Sequence, residues 1–206
     1  MVIEELKPSK RVEGRWLAVL EDGSILRVSK NQIADLALYA GRELSDEEAD
    51  RLTQAIENEN FRAHALRMIM DTPRSRKEFV KRLEKINCPP EKAQEIAGWL
   101  EDLGYLDDAA YAREVVELYV RKGYGERKIR DELYRRGVPR ELWDEALERI
   151  EEEDSASAID AFLEKKLKGS HDPKDVKRAS DALARRGYRW PEISDALRRY
   201  GMEVYD

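Results

Sequence analysis

Fifty residues separate Arg135-Arg136-Gly137-Val138 from Arg185-Arg186-Gly187-Tyr188, and fifty residues before the first stands Lys85-Ile86-Asn87-Cys88. A chain with such a period is read as tandem structural units, each burying its apolar face against itself and its neighbours. Gly137 and Gly187 suit the left-handed position that closes a helix, and Asn87 is the usual substitute there. Pro89-Pro90, Pro139 and Pro191 follow, where proline can open the next helix. Three sets of apolar stripes frame these turns. The first helices carry Phe61, Ala65, Leu66 and Ile69; then Tyr111, Val115, Val116 and Tyr119; then Ala158, Phe162, Leu163 and Leu167. The second carry Phe79, Leu83 and Ile86; Ile129 and Leu133; Ala179 and Leu183. The third carry Ile96, Trp99, Leu100 and Leu103; Trp143, Ala146, Leu147 and Ile150; Ile193, Ala196, Leu197 and Tyr200, each at the i, i+3, i+4, i+7 spacing of a one-faced helix. Trp99 and Trp143 are read as matching core positions. One unit of this size is too small for a robust core, so neighbours are expected to stack. The prediction is a mainly all-α fold, an elongated array of three tandem three-helix repeats at 59–106, 107–153 and 154–206.

The first 58 residues read differently. Residues 1–13 alternate charged and apolar character until Pro8 interrupts them. Trp16–Leu20 and Ile25–Val28 are β-rich runs joined by Glu-Asp-Gly-Ser, with Asp22-Gly23 expected to supply the positive-φ residues of a tight hairpin. An isolated hairpin is marginal, so it must pack on something or gain a third strand. From Asn31 the period becomes helical, with Ile33, Leu36, Ala37 and Tyr39, and stops at Gly41. Ser45 and Glu48 form a capping box for a second helix carrying Ala49, Leu52 and Ile56, which either continues through Asn58–Asn60 or breaks there.

Charged residues make up 40% of the chain and hydrophobic ones 41%, a balance that suits narrow apolar stripes better than one thick core. The formal net charge of −6 argues against a chain that adheres to nucleic acid over its whole surface. A single cysteine, Cys88, excludes an internal disulfide framework and is read as a packing thiol. No apolar run approaches the roughly 18 residues of a membrane span, and MVIEELKPSKR has no signal-peptide apolar region, so a soluble cytoplasmic protein is expected. Paired Asp107-Asp108 lack a third ligand at metal spacing, and one of them is expected to cap the helix that follows. His64 and His171 have no Cys or His partner in sequence. With no phosphate loop, nucleophile elbow or zinc-protease motif, no enzyme, metal or cofactor is predicted.

One stretch departs from the acidic average. Between Arg121 and Arg140 there are eight Lys or Arg against three Asp or Glu. Arg127, Arg130 and Tyr134 fall on one outward helix face, opposite Ile129 and Leu133. Arg121, Lys122 and Tyr124 stand in the turn before that helix, Lys128 and Arg135 within it. A second cluster comprises Lys177, Arg178, Arg185, Arg186, Tyr188 and Arg189, with Arg198-Arg199 beyond. Arginine and tyrosine anchor protein interfaces, and arginine also pairs with phosphate, so both patches are candidate contacts for an acidic protein surface or DNA phosphate. The plainer alternative is a solvated face paired with nearby carboxylates.

Leu103-Gly104-Tyr105-Leu106-Asp107-Asp108-x-x-Tyr111-Ala112, then Gly123-Tyr124-Gly125 and Ile129-x-x-Glu132-Leu133-x-x-x-Gly137-Val138, resembles the signature of the RecX regulatory proteins. The likeness covers roughly residues 60–200 and is most specific at 103–147. It implies a modulator that lies in the groove of the RecA–DNA filament, limits its extension or promotes its disassembly, and damps ATPase, strand exchange and co-protease activity. It also implies that the RecA filament is the partner of the two basic patches, with single-stranded or duplex DNA as the other candidate. A monomer is expected. The competing reading is a sequence-tolerant DNA-binding helix-turn-helix at Lys128–Leu147, against which stand Glu141, Asp144, Glu145 and Glu148 on the third helix.

Overall fold

The computed structural model describes residues 1–148, 150 and 152–202, without the side chains of 152–154. It divides into two compact units, Met1–Met68 and Ile69–Asp206. No helix among the described residues is long and apolar enough to cross a membrane.

In the first unit, three antiparallel strands β1 (Ile3–Pro8), β2 (Arg15–Leu20) and β3 (Ile25–Ser29) lie in sequence order. The expected hairpin is β2–β3, in register from Arg15↔Ser29 to Val19↔Ile25. β1 is the third strand such a hairpin needs. Its Ile3 is wholly buried and opposite Leu20, and the register slips between Ile3 and Glu5. The connecting turn differs from the expectation. Only Gly23 adopts positive φ (80°), and the strands are tied by Leu20 N–H to the Ser24 carbonyl and Gly23 N–H to the Leu20 carbonyl. Asp22 instead accepts the Ser24 N–H through its carboxylate, an Asx-type contact open to a residue with ordinary φ.

Helix α1 (Lys30–Asp35) is capped by Ser29, with Gln32 completing a capping box. It stops six residues short of Gly41, because Ala37 takes positive φ and Arg42 reaches back to the Leu36 and Ala37 carbonyls. Ser45 and Glu48 form the expected reciprocal box at the start of α2 (Asp46–Asp71). That helix runs unbroken through Asn58–Asn60. Ile3, Ala18, Leu20, Val28, Leu38, Leu44 and Leu52 form the core of this unit.

The second unit continues with α3 (Arg76–Glu84), α4 (Pro90–Asp102), α5 (Asp108–Arg121), α6 (Glu126–Arg135), a 3₁₀ turn at Arg140–Leu142 running into α7 (Trp143–Leu147), α8 (Glu152–Leu167), α9 (Pro173–Arg185) and α10 (Trp190–Arg199). Asn87, Gly137 and Gly187 all have the positive φ of a helix-closing residue, at 63°, 74° and 94°. Tyr111, Val115, Val116, Ile129, Leu133, Val138, Trp143, Ala146 and Leu147 form the core of the middle repeat. Ile159, Leu163, Leu167, Ala179, Leu183, Tyr188, Ile193, Ala196 and Leu197 form that of the last.

Three stripe assignments change, the simplest being Ile86, which lies beyond the end of α3 and is 38% exposed. Counted from the left-handed turn, α4 buries Ala93, Ile96, Ala97 and Leu100, each at 0% exposure, one turn earlier than the stripe read from sequence. Trp99 is therefore only half-buried and Leu103 is exposed, and the match of Trp143 is Ala93. The small side chains Ala93 and Ala97 hid the true face, because a stripe sought by large residues passes over alanine. In α8 the inward residue is Ile159, with Ala158 at the edge.

Candidate functional site

α6 is built to hold a rigid outer face. Gly125 caps it in extended backbone, Ile129 and Leu133 are wholly buried beneath it, and Gly137 ends it. Each end meets another repeat. At its start, Gly125 N–H donates to the Arg186 carbonyl (2.9 Å) and Arg127 N–H to the Gly187 carbonyl (3.2 Å). A Cβ on Gly125 would lie 2.6 Å from the Gly187 backbone, so glycine at both positions lets the chains touch. At its far end, the buried hydroxyl of Ser75, which caps α3, donates to the Arg136 carbonyl (2.5 Å). The neighbouring Arg76 N–H donates to the Asp108 carboxylate (2.7 Å). Asp107 is the cap of α5, leaving Asp108 free for this cross-repeat bond.

Beneath the outer face runs a polar network. Glu132 is 5% exposed, yet it receives both Arg135 (2.5 and 2.9 Å) and Arg136 (2.6 Å). Arg136 also donates to the Tyr111 hydroxyl at 2.7 Å. The Arg135 hydrogen bonds, supported by Arg136 and Tyr119 and opposed by burial, hold the Glu132 carboxyl down at about 2. A buried carboxylate so satisfied is a fixed anchor for the end of α6.

The twelve residues expected to make contact fall into three groups. Arg121, Arg127 and Arg185 are exposed and Lys128 half-exposed, and none has a carboxylate within ion-pair distance among the described residues. Tyr134 is 67% exposed, with the Arg140 guanidinium 5.9 Å from its ring. A second group is exposed or half-exposed but already engaged. Arg130 bonds Glu126 (2.7 Å) and Asp144 (2.9 Å), which raise its pKa, the Glu126 bond foremost. Arg135 is held by Glu132, Arg189 by Glu126 at 2.6 Å, and Lys122 lies over the Tyr119 ring at 5.3 Å.

The third group is turned inward, and here the sequence expectation is corrected. Tyr188 is 6% exposed in the core of the last repeat, and burial pushes its phenol up to about 12. It occupies the position after the left-handed residue that Val138 and Cys88 fill in the other turns, so it faces the core in every repeat. Arg186 donates to the Gly123 carbonyl and lies 4.7 Å from the Phe162 ring and 5.9 Å from that of Tyr124. Arg186 and half-buried Tyr124 thus pack between repeats.

The two basic patches, read from sequence as separate, meet. The Arg127–Gly187 and Glu126–Arg189 contacts bring the start of α6 against the 185–189 turn. Ser75, Glu132, Arg136 and Arg140 are not among the residues expected from the sequence to make contact. The available signal was Glu132 next to the buried stripe with arginines three and four residues on, a spacing that brings both guanidiniums back to one carboxylate. No group of three or more potential metal ligands occurs among the described residues.

The middle repeat, residues 107–147, matches the family model for RecX, second three-helix domain. A regulatory protein RecX of Streptomyces coelicolor is 31% identical over 134 residues, 63% of this chain and 71% of the relative. One of Xanthomonas axonopodis is 34% identical over 137 residues, 65% of this chain and 83% of the relative.

The chain belongs to the RecX family of regulatory proteins.

Solved RecX structures share the fold. One crystal structure of regulatory protein RecX superposes with a TM-score of 0.74 at 21% identity, covering 98% of this chain and 99% of its own. RecX from Lactobacillus salivarius gives 0.67 at 20% identity, over 71% of this chain and 98% of its own. The RecX second-domain match spans α5 to α7, and so includes both the buried Glu132 network and the outer face of α6.

Proposed function

We propose that this RecX-family protein regulates a RecA-type recombinase by binding the RecA–DNA filament, lowering its ATPase, strand-exchange and co-protease activity. The observation that carries this reading is the α6 face. Arg121, Arg127, Lys128 and Arg185 have no carboxylate partners among the described residues, and Tyr134 stands exposed on the same helix as Arg127 and Lys128. In an acidic chain, such a cluster fits the arginine-and-tyrosine composition of an interface core. Its mounting supports the same reading, since α6 is fixed at both ends and loses little freedom on binding.

Bare DNA is the competing target. Against it, Glu141, Asp144, Glu145 and Glu148 are exposed on the segment that would follow α6 into a groove, where they would repel phosphate. The test is ATP hydrolysis by RecA on single-stranded DNA with the protein titrated in at near-physiological salt. A saturable fall in rate is expected, with tighter association to RecA-coated than to bare DNA. Steeply salt-dependent binding to bare DNA with no preference for the filament would overturn the proposal.

A further inference from the structure

Where the first two repeats meet, α3 and the 134–140 turn leave a groove of about 580 Å³. Val80 and Val138 form its apolar floor, exposed Tyr134 one wall. Lys77 and Lys81 stand one turn apart on α3, and Arg140 faces into the same groove. Lys77 is positioned by its stem, which runs along Gly137 so closely that a Cβ there would sit 3.0 Å from the lysine Cδ. None of these three cations has a carboxylate partner among the described residues, and Arg140 is braced over the Tyr134 and Trp143 rings at 5.9 and 5.8 Å. Of the two lining carboxylates, Asp108 is committed to the Arg76 N–H, and Glu84 stands exposed on α3.

We propose that this groove binds a short acidic peptide segment of a partner protein, seating one apolar side chain on Val80 and Val138 while its carboxylates pair with Lys77, Lys81 and Arg140. Charge complementarity and the apolar floor together select this occupant. A phosphate backbone would gain the cations, but it would leave the floor and Tyr134 unused and would pass Glu84. A neutral apolar segment would leave three cations unpaired. The site lies between the first and second repeats and shares only Tyr134 with the α6 face, so it stands whether or not that face contacts a filament.

An array of short immobilised peptides, varied in acidic content and in the presence of a single Leu or Phe, would be probed with the full chain. Retained peptides should need both features, and their Gln-for-Glu versions should be lost. Zero-length carbodiimide coupling should join the retained peptides to Lys77 or Lys81, as mapped by mass spectrometry. The double variant K77Q/K81Q, at exposed positions, should weaken binding about ten-fold or more with unchanged melting, and R185Q should not. Retention of no acidic peptide, equal retention of the Gln versions, coupling elsewhere, or displacement by a single-stranded oligonucleotide at lower concentration than by the acidic peptide would each overturn the proposal.

Discussion

The start of α3 and the start of α6 occupy the same place in successive repeats, and each packs against the Arg-Gly turn of the next repeat, but by different chemistry. At α3 the contact is made by side chains: the Ser75 hydroxyl to the Arg136 carbonyl, the Asp108 carboxylate to Arg76 N–H, and the Lys77 stem along Gly137. At α6 the capping residue itself meets the turn backbone to backbone, with Gly125 and Gly187 leaving no room for a Cβ between them, and Arg186 and Arg189 add side-chain bonds alongside. The capping residue decides the outcome. A serine spaces the two chains by a hydroxyl and leaves a groove alongside, whereas a glycine lets them close. One joint can therefore hold a ligand, and the other fixes the outer face of α6.

The largest effect expected from this difference is at the closed joint. Gly187→Ala would place a methyl on the Lys128 backbone nitrogen at a φ of +94°, and should cost about 3–5 kcal/mol in urea unfolding. Gly125→Ala should be similar. Because the two glycines touch, the double variant should cost clearly less than the sum; simple additivity would mean that the joint is not a single contact.

Glu132→Gln comes next, at about 2–3 kcal/mol, since it weakens three charged hydrogen bonds and leaves Arg136 undercompensated beside the Ser75 contact. Acid tests the same group. The Glu132 carboxyl is held at about 2 by Arg135, Arg136 and Tyr119, against an ordinary value of 4.5. A carboxyl depressed by folding stabilises fully above its unfolded value, and that stability drains away as the pH falls from about 5 to 2. Melting temperature against pH should fall less steeply in this window for Glu132→Gln than for the parent.

Ser75→Ala should cost about 1–2 kcal/mol, losing a helix cap along with the bond to Arg136. The loss should be confined to the open joint, read by hydrogen exchange at α3 with α9 unaffected. Smallest is Arg189→Gln, whose partner Glu126 lies near solvent: below about 0.5 kcal/mol by denaturant midpoint. A larger loss there would mean that the closed joint depends on its rim charge as well as on its glycines.

Much of this architecture was legible in the sequence, and the reason is local. Asn87, Gly137 and Gly187 announce their left-handed turns because few other residues adopt that backbone, and Ser45 with Glu48 announces α2 because the capping box lies within four residues. What was not legible depends on contacts between repeats. Nothing near Tyr188 distinguishes a core tyrosine from an interface one, except that Val138 and Cys88 share its position. Asp108, Ser75 and Arg136 acquire their roles only when residues 32 and 61 positions apart meet. The outer face of α6 was readable from helical period, but not which of its arginines are already paired, because Asp144 reaches Arg130 from another element.

The α6 face is tested most directly by the triple variant Arg127→Ala, Tyr134→Ala, Arg185→Ala in the RecA ATPase assay on single-stranded DNA. All three side chains are exposed, and the variant leaves the hydrogen bonds of both joints in place. Helicity and melting should stay close to the parent, and the half-inhibitory concentration should rise about ten-fold or more. Inhibition equal to the parent's by a folded variant would contradict contact through this face.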